Sequence, residues 1–521
     1  MRRALTVTLA TVMLTGASAV AGAQAWQSDR GDGTYANPPL YADYPDPDII
    51  RVGQDFYFIT TTFANVPGLT IMTSRDLVNW RFVGHVVDRL EGRPEYELKR
   101  GGAYRKGIFA PSLRYRDGIF FIAVTPVGEK TRIYRSRDIR GPWVMNRLSE
   151  EAFDPGLFID RDGSAFIMTS VGSDGTTTLL SLDRDLRRVV GKRVVHFNEG
   201  AEGSKIVRRG DFYYMFNAIP RRLSMTVSRA KSLFGPWETR DQIDDRTGGH
   251  QGAIVDLPDG TDYGFVMVDA GAIGRMTNIS PIFWRDGWPI WGTRAAPNRV
   301  PAVATKPIQG QPVAILPASD DFSSPRLGLQ WQWNHNPRPE RWSLTERPGY
   351  LRLHATQAPA LWSAANTLLQ KGQGPFSRGV VALDAAHIVP GDQCGFGTFG
   401  KYSGHIAIGR GVDGRLTLTM RVIEDVAADK GTTQTTDQRV AALPLSAERL
   451  FLRTDMDFKT DRASVAYSLD GHDWRTLGGD FPLAFDWRTG TFQGQQYALF
   501  CYNPGVKGGW MDIDSFTLSG R

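Results

Sequence analysis

The chain of 521 residues is poor in cysteine. It contains only Cys394 and Cys501, so no cysteine cluster of the kind that binds zinc or an iron–sulfur centre is present. In an oxidising compartment the two thiols could form a disulfide, and as small buried side chains they could equally stay reduced. The sequence alone leaves both alternatives open.

Long apolar runs and basic tracts are also missing. Beyond the first 25 residues, no stretch is apolar for long enough to span a membrane. The 61 Lys and Arg residues are interspersed with 55 Asp and Glu residues. These absences argue against a membrane protein and against nucleic acid as a partner. No strong helical pattern follows the N-terminal segment, which favours an all-β chain.

Residues 1–25 have the order of a secretory signal peptide. Arg2 and Arg3 precede a mostly apolar run over residues 4–14, and small residues follow. The pattern predicts a periplasmic or secreted protein whose mature chain starts between Gln24 and Gln27. The polar stretch 27–33 that follows is expected to be mobile.

The sequence is rich in turn residues and aromatics, with 56 Gly, 30 Pro, 14 Trp, 16 Tyr and 27 Phe. Five segments share one plan, in which a small or polar residue opens a short apolar strand, a turn follows, and a second, aromatic or β-branched strand returns. The five segments open at Asp46, Ala110, Asp154, Glu202 and His250. Repeated hairpins at a spacing of tens of residues predict a β-propeller.

In a propeller, the first strand of each hairpin lies nearest the central axis. The five opening residues are therefore expected to converge at one end of the central channel, and three of them are carboxylic acids. Charges in a crowded channel are costly unless they are paired or used. For any one acid the alternative is a turn-capping role, because Asp before Pro often opens a turn.

Two carboxyl groups on either side of a bond, one protonated and one ionised, can hydrolyse a glycoside. Pro45 and Pro47 flank Asp46 and restrict its backbone, while Gly203 after Glu202 allows a ligand to approach closely. A third acid, Asp154, would raise the pKa of a neighbouring carboxyl by charge repulsion and keep it protonated near neutral pH.

The domain organisation follows from the change of pattern along the chain. Residues 34–305 carry the propeller repeat, 306–318 form a linker without a long pattern, and 319–521 contain alternating strands typical of a β-sandwich. A second recurring motif places Trp80, Trp143 and Trp237 on the outer side of the blades. These residues are interpreted as packing anchors.

Several motifs together resemble glycoside hydrolase family 43, and the resemblance extends over nearly all of the mature chain. The motifs are YPDPD at 44–48, SRDLVNW at 74–80, DPGLF at 154–158, EGSKI at 202–206, HQG at 250–252 and DGWP at 286–289. In the C-terminal part, WQWNHNP at 331–337 and WSLTERPG at 342–349 resemble the sandwich of the family's β-xylosidases.

The resemblance implies a five-bladed β-propeller followed by a concanavalin-like β-sandwich, and an inverting mechanism. It assigns Asp46 as the general base and Glu202 as the general acid. Asp154 matches the residue that tunes the pKa of the acid and orients the substrate.

The resemblance also implies residues that bind substrate. Arg275 matches a basic residue that contacts sugar hydroxyls, and Phe63 and His250 match further substrate-binding positions. In some relatives a bound calcium lies beside the channel histidine, so a structural Ca²⁺ near His250 is an expectation. No cofactor is expected to be required for catalysis.

The expected activity is release of D-xylose from the non-reducing ends of β-1,4-xylooligosaccharides. The alternative is α-L-arabinofuranosidase activity on side chains of arabinoxylan or arabinan. A catalytically inactive carbohydrate-binding protein is a third reading, and the presence of all three acids argues against it.

Asn65 and Val66 stand where many relatives carry aromatics, and the resulting less apolar pocket wall would favour the arabinoside. Residues 203–205 and 276–277 also depart from the family's motifs, and these departures bear on the identity of the sugar more than on the mechanism. Chain-length preference and oligomeric state stay open.

Overall fold

The computed structural model describes residues 25–99, 101–172, 174–243, 249–429, 432–487, 492–505 and 508–520. The predicted signal peptide lies outside the described residues up to position 24. Over the described part, the expected all-β architecture is confirmed: five four-stranded antiparallel sheets form a propeller, and two larger sheets form a β-sandwich.

Each blade is a meander of four strands that runs from the central channel outward. Blade 1 consists of Asp48–Val52, Asp55–Thr60, Gly68–Ser74 and Arg81–Val87. Blade 2 consists of Ser112–Arg116, Ile119–Val124, Arg132–Ser136 and Val144–Arg147. Blade 3 consists of Gly156–Ile159, Ala165–Ser170, Thr176–Leu182 and Val189–Phe197. Blade 4 consists of Glu202–Arg209, Phe212–Ile219, Ser224–Ala230 and Glu238–Ile243. Blade 5 consists of Gly249–Asp256, Asp262–Asp269, Arg275–Arg285 and Trp288–Trp291.

The propeller is closed by pairing its two ends. Thr34–Ala36 pairs antiparallel with Val303–Thr305, which joins the chain before blade 1 to the chain after blade 5. The side chain of Asn37 adds hydrogen bonds to the backbone carbonyls of Ile279 and Pro301, at 2.8 and 2.7 Å. This separate two-stranded sheet links the chain segments that precede blade 1 and follow blade 5.

Short 3-10 turns are the only helices in the described part of the chain. Their bounds are Pro94–Glu97, Pro220–Arg222, Gly271–Ile273, Pro339–Arg341 and Leu361–Ser363. None of the described helices is long and apolar enough to cross a membrane.

Blade packing explains the recurring tryptophans. Trp80 is buried, donates a hydrogen bond to the carbonyl of Leu77 and packs edge-on against Phe58. Trp143 and Trp237 are half-buried against the apolar clusters of their own regions. These contacts support the packing-anchor interpretation.

The segment 27–33, expected to be mobile, is anchored to the propeller at two of its residues. Ser28 and Asp29 are buried. Asp29 accepts a hydrogen bond from Asn79 at 2.8 Å and pairs with the buried Lys306 at 2.6 Å. The reason lies at the start of the linker: a buried lysine requires a carboxylate partner, and Asp29 supplies it from this segment.

The first sandwich sheet runs in spatial order through Thr432–Leu445, Leu416–Asp429, Tyr402–Arg410, Gln393–Phe399, Gln496–Asn503, Leu368–Lys371 and Gln332–Asn334, with Thr356–Gln357 paired to Gln496–Asn503. The second sheet runs through Trp342–Ser343, Leu351–His354, Trp510–Ser519, Phe376–Asp384, Arg449–Asp457, Arg462–Ser468 and Arg475–Thr476, with Phe481–Pro482 paired to Arg462–Ser468.

The two domains share a sheet. Asn65–Val66, a short strand of the propeller, pairs antiparallel with Gln332–Asn334 and extends the first sandwich sheet by one strand. The side chain of Asn65 also donates hydrogen bonds of 3.0 Å to Gln493 and Gln496 of the sandwich. Backbone and side-chain bonds together hold the sandwich against the channel end of the propeller.

The alternative left open for the cysteines is decided by the sandwich. Cys394 and Cys501 stand opposite each other on neighbouring strands and form a disulfide. The pairing depends on strand register, which brings together residues 107 positions apart.

Candidate active site

All six residues predicted to act on substrate line one cavity at the channel end of the propeller. Its volume is about 370 Å³, within the usual range for small-ligand sites. The predicted residues that line it are Asp46, Phe63, Asp154, Glu202, His250 and Arg275. Ala110, the remaining segment start, is buried, and its neighbour Phe109 lines the cavity instead.

The backbone presents the acids through local irregularities at the strand starts. Asp46 and Asp154 have φ angles of 53° and 43°, in the left-handed region that non-glycine residues rarely adopt. Irregular strand pairing follows Glu202 and His250. Strain of this kind costs on the order of 1–3 kcal/mol and is found at functional sites.

Asp46 is buried and faces a guanidinium. Its carboxylate lies 3.3 Å from Nη1 of Arg275. Burial raises the pKa of Asp46, and the charges of Arg275, His250 and Lys205 act against that rise by favouring the ionised form. These positive charges favour the ionised form that a general base requires.

In Asp154, repulsion between carboxylates adds to the effect of burial, although the charges of Lys205 and Arg275 oppose both. Burial and the neighbouring charges of Asp46 and Glu202 raise the pKa of Asp154 well above its usual value. Its Oδ1 has no hydrogen-bond partner within the described part of the chain. Three acids in one pocket do not all ionise together, and Asp154 is the group whose ionisation is most disfavoured.

Glu202 lies close to the backbone of the loop after the second strand of blade 3. Burial raises the pKa of Glu202, the charges of His250 and Arg221 oppose the rise, and the charge of Asp46 adds to it. A Cβ atom at Gly172 would lie 2.5 Å from Oε1 of Glu202. Glycine at this position therefore leaves the space in which the carboxyl is held.

A buried charge network supports the acids from the adjoining blades. Lys205 is only 2% exposed, and its charge favours ionisation of Asp46, Asp48 and Asp154. Asp48 accepts a hydrogen bond from Ser112 at 2.9 Å and pairs with Arg114 at 2.8 Å. Although burial opposes it, this pairing lowers the pKa of Asp48, so Asp48 is a structural anion and not a proton donor.

His250 is held by a carboxylate. Its Nε2 lies 3.0 Å from Oδ1 of Asp269. Across the described ranges, no group of three or more His, Cys, Asp or Glu side chains is arranged to hold a metal. Calcium prefers six to eight oxygen ligands, and Asp269 is the carboxylate that His250 contacts. A calcium ion beside His250 stays a prediction.

Arg275 connects the acid pocket to the sandwich. Its Nη2 donates to the carbonyl of Phe492 at 3.1 Å, and its backbone N–H donates to Asp43 at 2.8 Å. The Phe492 ring stacks on Phe63, with 5.4 Å between ring centroids. The guanidinium also lies over both rings, at 5.2 Å from Phe63 and 5.6 Å from Phe492.

Sequence reasoning missed several lining residues. Phe109 and Phe153 line the cavity and each directly precedes a segment start, Ala110 or Asp154, so this position was a usable signal. Trp487 and Phe492 come from the sandwich, and nothing in the propeller repeat points to them.

The expectation that Asn65 and Val66 form a pocket wall is wrong. Neither is among the residues that line the cavity, and both belong to the strand shared with the sandwich. Their side of the site is filled by Phe492 and Gln493 of the sandwich, so an aromatic at these positions is not needed to close it.

Comparison with known proteins gives the same assignment for both domains. The family model for glycosyl hydrolases family 43 matches residues 35–289. The model for the β-xylosidase C-terminal concanavalin A-like domain matches residues 319–519. The chain belongs to glycoside hydrolase family 43. This family 43 enzyme is therefore a glycosidase, with the expected propeller and concanavalin-like sandwich.

Two curated relatives carry different activities in their names. A β-xylosidase of Formosa agariphila is 30% identical over 94% of this chain and 91% of its own length. A non-reducing end α-L-arabinofuranosidase of Bacteroides ovatus is 30% identical over 66% of this chain and 69% of its own.

A solved structure matches both domains of the family 43 enzyme. It is a family 43 hydrolase whose engineered active site displays endo-xylanase and exo-arabinofuranosidase activity. It superposes with a TM-score of 0.86 at 28% identity, over 94% of this chain and 99% of that one.

Proposed function

We propose that this enzyme releases single D-xylose units from the non-reducing ends of short β-1,4-xylooligosaccharides, with inversion at the anomeric carbon. The observation that carries the proposal is the pocket itself. Asp46, Asp154 and Glu202 meet in a small cavity to which the sandwich contributes Trp487 and Phe492. A small pocket with a second domain at its wall favours a chain end over the middle of a polysaccharide.

The acids divide the reaction between them. Glu202, whose pKa is raised by burial, gives its proton to the glycosidic oxygen as the bond to the leaving group breaks. Asp46, ionised beside Arg275, takes a proton from the water that attacks the anomeric carbon from the opposite face. The proton lost by Glu202 and the proton gained by Asp46 balance the hydrolysis.

Arg275 contributes to binding of the sugar, and Asp154 affects the protonation of the general acid. Arg275 orients Asp46, and its buried guanidinium is placed to donate to hydroxyls of the sugar in the pocket. Asp154 and Glu202 repel each other when both are ionised, so this pair of acids keeps a proton to higher pH than an isolated carboxyl would.

The test is a comparison of kcat/KM on nitrophenyl β-D-xylopyranoside, nitrophenyl α-L-arabinofuranoside and xylobiose. The proposal expects xylose from xylobiose and a preference for the xyloside. Preference for the arabinoside with xylobiose untouched would overturn the substrate assignment. It would leave the roles of the three acids in place.

The second candidate is α-L-arabinofuranosidase activity. It is supported by the similarity to the Bacteroides ovatus enzyme and by the stereochemical likeness of the two pentoses. Discrimination between them by apolar contacts is worth about 1–3 kcal/mol per contact. The arabinoside is therefore expected as a side activity in the same pocket.

Export and metal dependence complete the proposal. The N-terminal signal pattern supports a periplasmic or secreted enzyme, and intact mass of the exported protein tests where the mature chain begins.

The proposed proton transfers use side chains of this chain alone, and we propose that no cofactor is required. If calcium beside His250 is structural, chelation will lower the melting temperature, and added Ca²⁺ will restore it.

A further inference from the structure

A groove of about 700 Å³ lies beside the active-site pocket. Gly172, Gly200 and Arg221 line both the groove and the pocket, so the two spaces adjoin each other. The remaining described groove residues lie between positions 174 and 241, in blades 3 and 4. The groove therefore leaves the pocket on the propeller side, while Trp487 and Phe492 of the sandwich line the pocket only.

An exposed aromatic ring lies in this groove. Phe197 ends the outer strand of blade 3 and is 66% exposed. Its ring edge lies against Gly175, where an added Cβ would be 3.0 Å from the ring. The next residue, Asn198, donates to the carbonyl of Gly175 at 2.8 Å and to Thr226 at 2.9 Å. The ring is thus exposed on a backbone that is held from two sides.

The groove also offers polar groups suited to neutral hydroxyls. Arg221 makes no hydrogen bond or ion pair with the residues that the structure describes, whereas Arg222 beside it pairs with Asp241 at 2.9 Å. Asp174 and Glu199 supply acceptors on the same lining. A lining with both positively charged donors and negatively charged acceptors fits an uncharged polyol better than an anionic ligand.

We propose that this groove binds the leaving-group side of the substrate, as one to three neutral xylosyl units beyond the scissile bond, with Phe197 stacking against a pyranose ring. The proposal rests on the proposed function. A linear chain leaves a pocket in one direction, and one groove accommodates it. A backbone carrying an arabinosyl branch in the pocket would need space on both sides of the branch point.

The physical basis is burial of an apolar sugar face. The C–H face of a pyranose ring is apolar, and packing it on an aromatic ring removes apolar surface from water. An aromatic contact of this type changes affinity roughly 2- to 10-fold. The enzyme is accordingly expected to prefer xylotriose and xylotetraose to xylobiose.

The experiment compares Phe197→Ala with Phe234→Ala on xylobiose, xylotriose, xylotetraose and nitrophenyl β-D-xylopyranoside. Phe234 is a matched control because its ring is 48% exposed on blade 4 and lies outside the groove lining. Phe197→Ala should lose roughly 2- to 10-fold in kcat/KM on xylotetraose, mainly through KM. Its loss on the nitrophenyl substrate, which carries a single ring beyond the scissile bond, should be smaller than on xylotetraose, and Phe234→Ala should match wild type throughout.

The outcomes separate the two proposals. If wild type cleaves xylooligosaccharides and Phe197→Ala behaves like Phe234→Ala, the groove assignment is overturned and the proposed function stands. An equal loss on the nitrophenyl substrate also overturns it, because the effect of Phe197 would then not grow with the length of the chain beyond the scissile bond. A wild type inactive on every xylooligosaccharide overturns both.

Discussion

Gly172 and Glu202 are in such close contact that a single methyl group would displace the proposed general acid. A Cβ built at position 172 lies 2.5 Å from Oε1 and 3.0 Å from Cδ of Glu202. We expect Gly172→Ala to lower kcat/KM on xylobiose by about 100-fold, since a shift of about 1 Å in a catalytic group has this effect.

The control for this steric argument is Gly84→Ala. An added Cβ at Gly84 meets no atom within 4 Å. This variant should retain wild-type activity. Full activity of Gly172→Ala would show that Glu202 can move without loss and would contradict its placement as the acid.

Removal of either proposed catalytic carboxyl should abolish most activity on natural substrates while the fold persists. Asp46→Ala and Glu202→Ala are each expected to lose roughly 100- to 10,000-fold on xylobiose. Glu202→Ala should lose less on an aryl xyloside whose leaving group needs no proton. Equal losses of Glu202→Ala on both substrates would remove Glu202 from the acid role.

Asp154→Asn should change the pH dependence of both stability and activity. The pKa of Asp154 is raised above 3.8 in the folded state, so the folded protein binds more protons and wild-type stability falls as pH rises above that value. The variant is therefore expected to melt at a higher temperature than wild type at neutral pH, and the difference should vanish at low pH.

The same variant removes the repulsion between Asp154 and Glu202 that keeps a proton on this pair of acids. The pKa of the general acid should fall, and the high-pH limb of kcat/KM should shift to lower pH. Asp160→Asn is the matched control, with an expected stability effect of opposite sign. Burial would raise the pKa of Asp160, but hydrogen bonds from Tyr213 and Arg208 lower it. Replacing Asp160 should therefore destabilise the protein at neutral pH. An unchanged high-pH limb in Asp154→Asn would refute the coupling.

Lys205→Met tests the buried charge beneath the acids. The lysine charge favours the ionised forms of Asp46 and Asp154, so its removal should raise their pKa values. The low-pH limb of kcat/KM, set by ionisation of the base, should move to higher pH. The control is Lys192→Met, because Lys192 is an exposed lysine paired with Glu150, and this variant should leave the pH profile unchanged. Identical pH profiles for the two variants would contradict the role of Lys205.

Inversion can be read directly from the first sugar released. Proton NMR during early hydrolysis of nitrophenyl β-D-xylopyranoside should show α-xylose before mutarotation. The reason is that Asp46 acts on water and does not attack the sugar. Initial appearance of β-xylose would demonstrate retention and make Asp46 or another carboxylate a nucleophile.

Much of this protein could be predicted from local sequence. The hairpin repeat gave the propeller, and the residues that open its segments brought Asp46, Asp154, Glu202 and His250 to one pocket, because equivalent strand starts in a closed ring of blades converge. Such signals are local: each motif is contained in a few consecutive residues.

Other features depend on contacts between residues far apart in the chain, and only the tertiary structure decided them. Phe492 reaches Arg275 across 217 positions, and Asn65 reaches Gln493 across 428. The expected pocket wall at Asn65 was wrong for this reason, and the contact of Asp29 with Lys306, 277 positions away, was likewise not predicted. Strand register likewise decided the pairing of Cys394 with Cys501. A side chain's partners across a domain interface are set by packing, which no periodic pattern encodes.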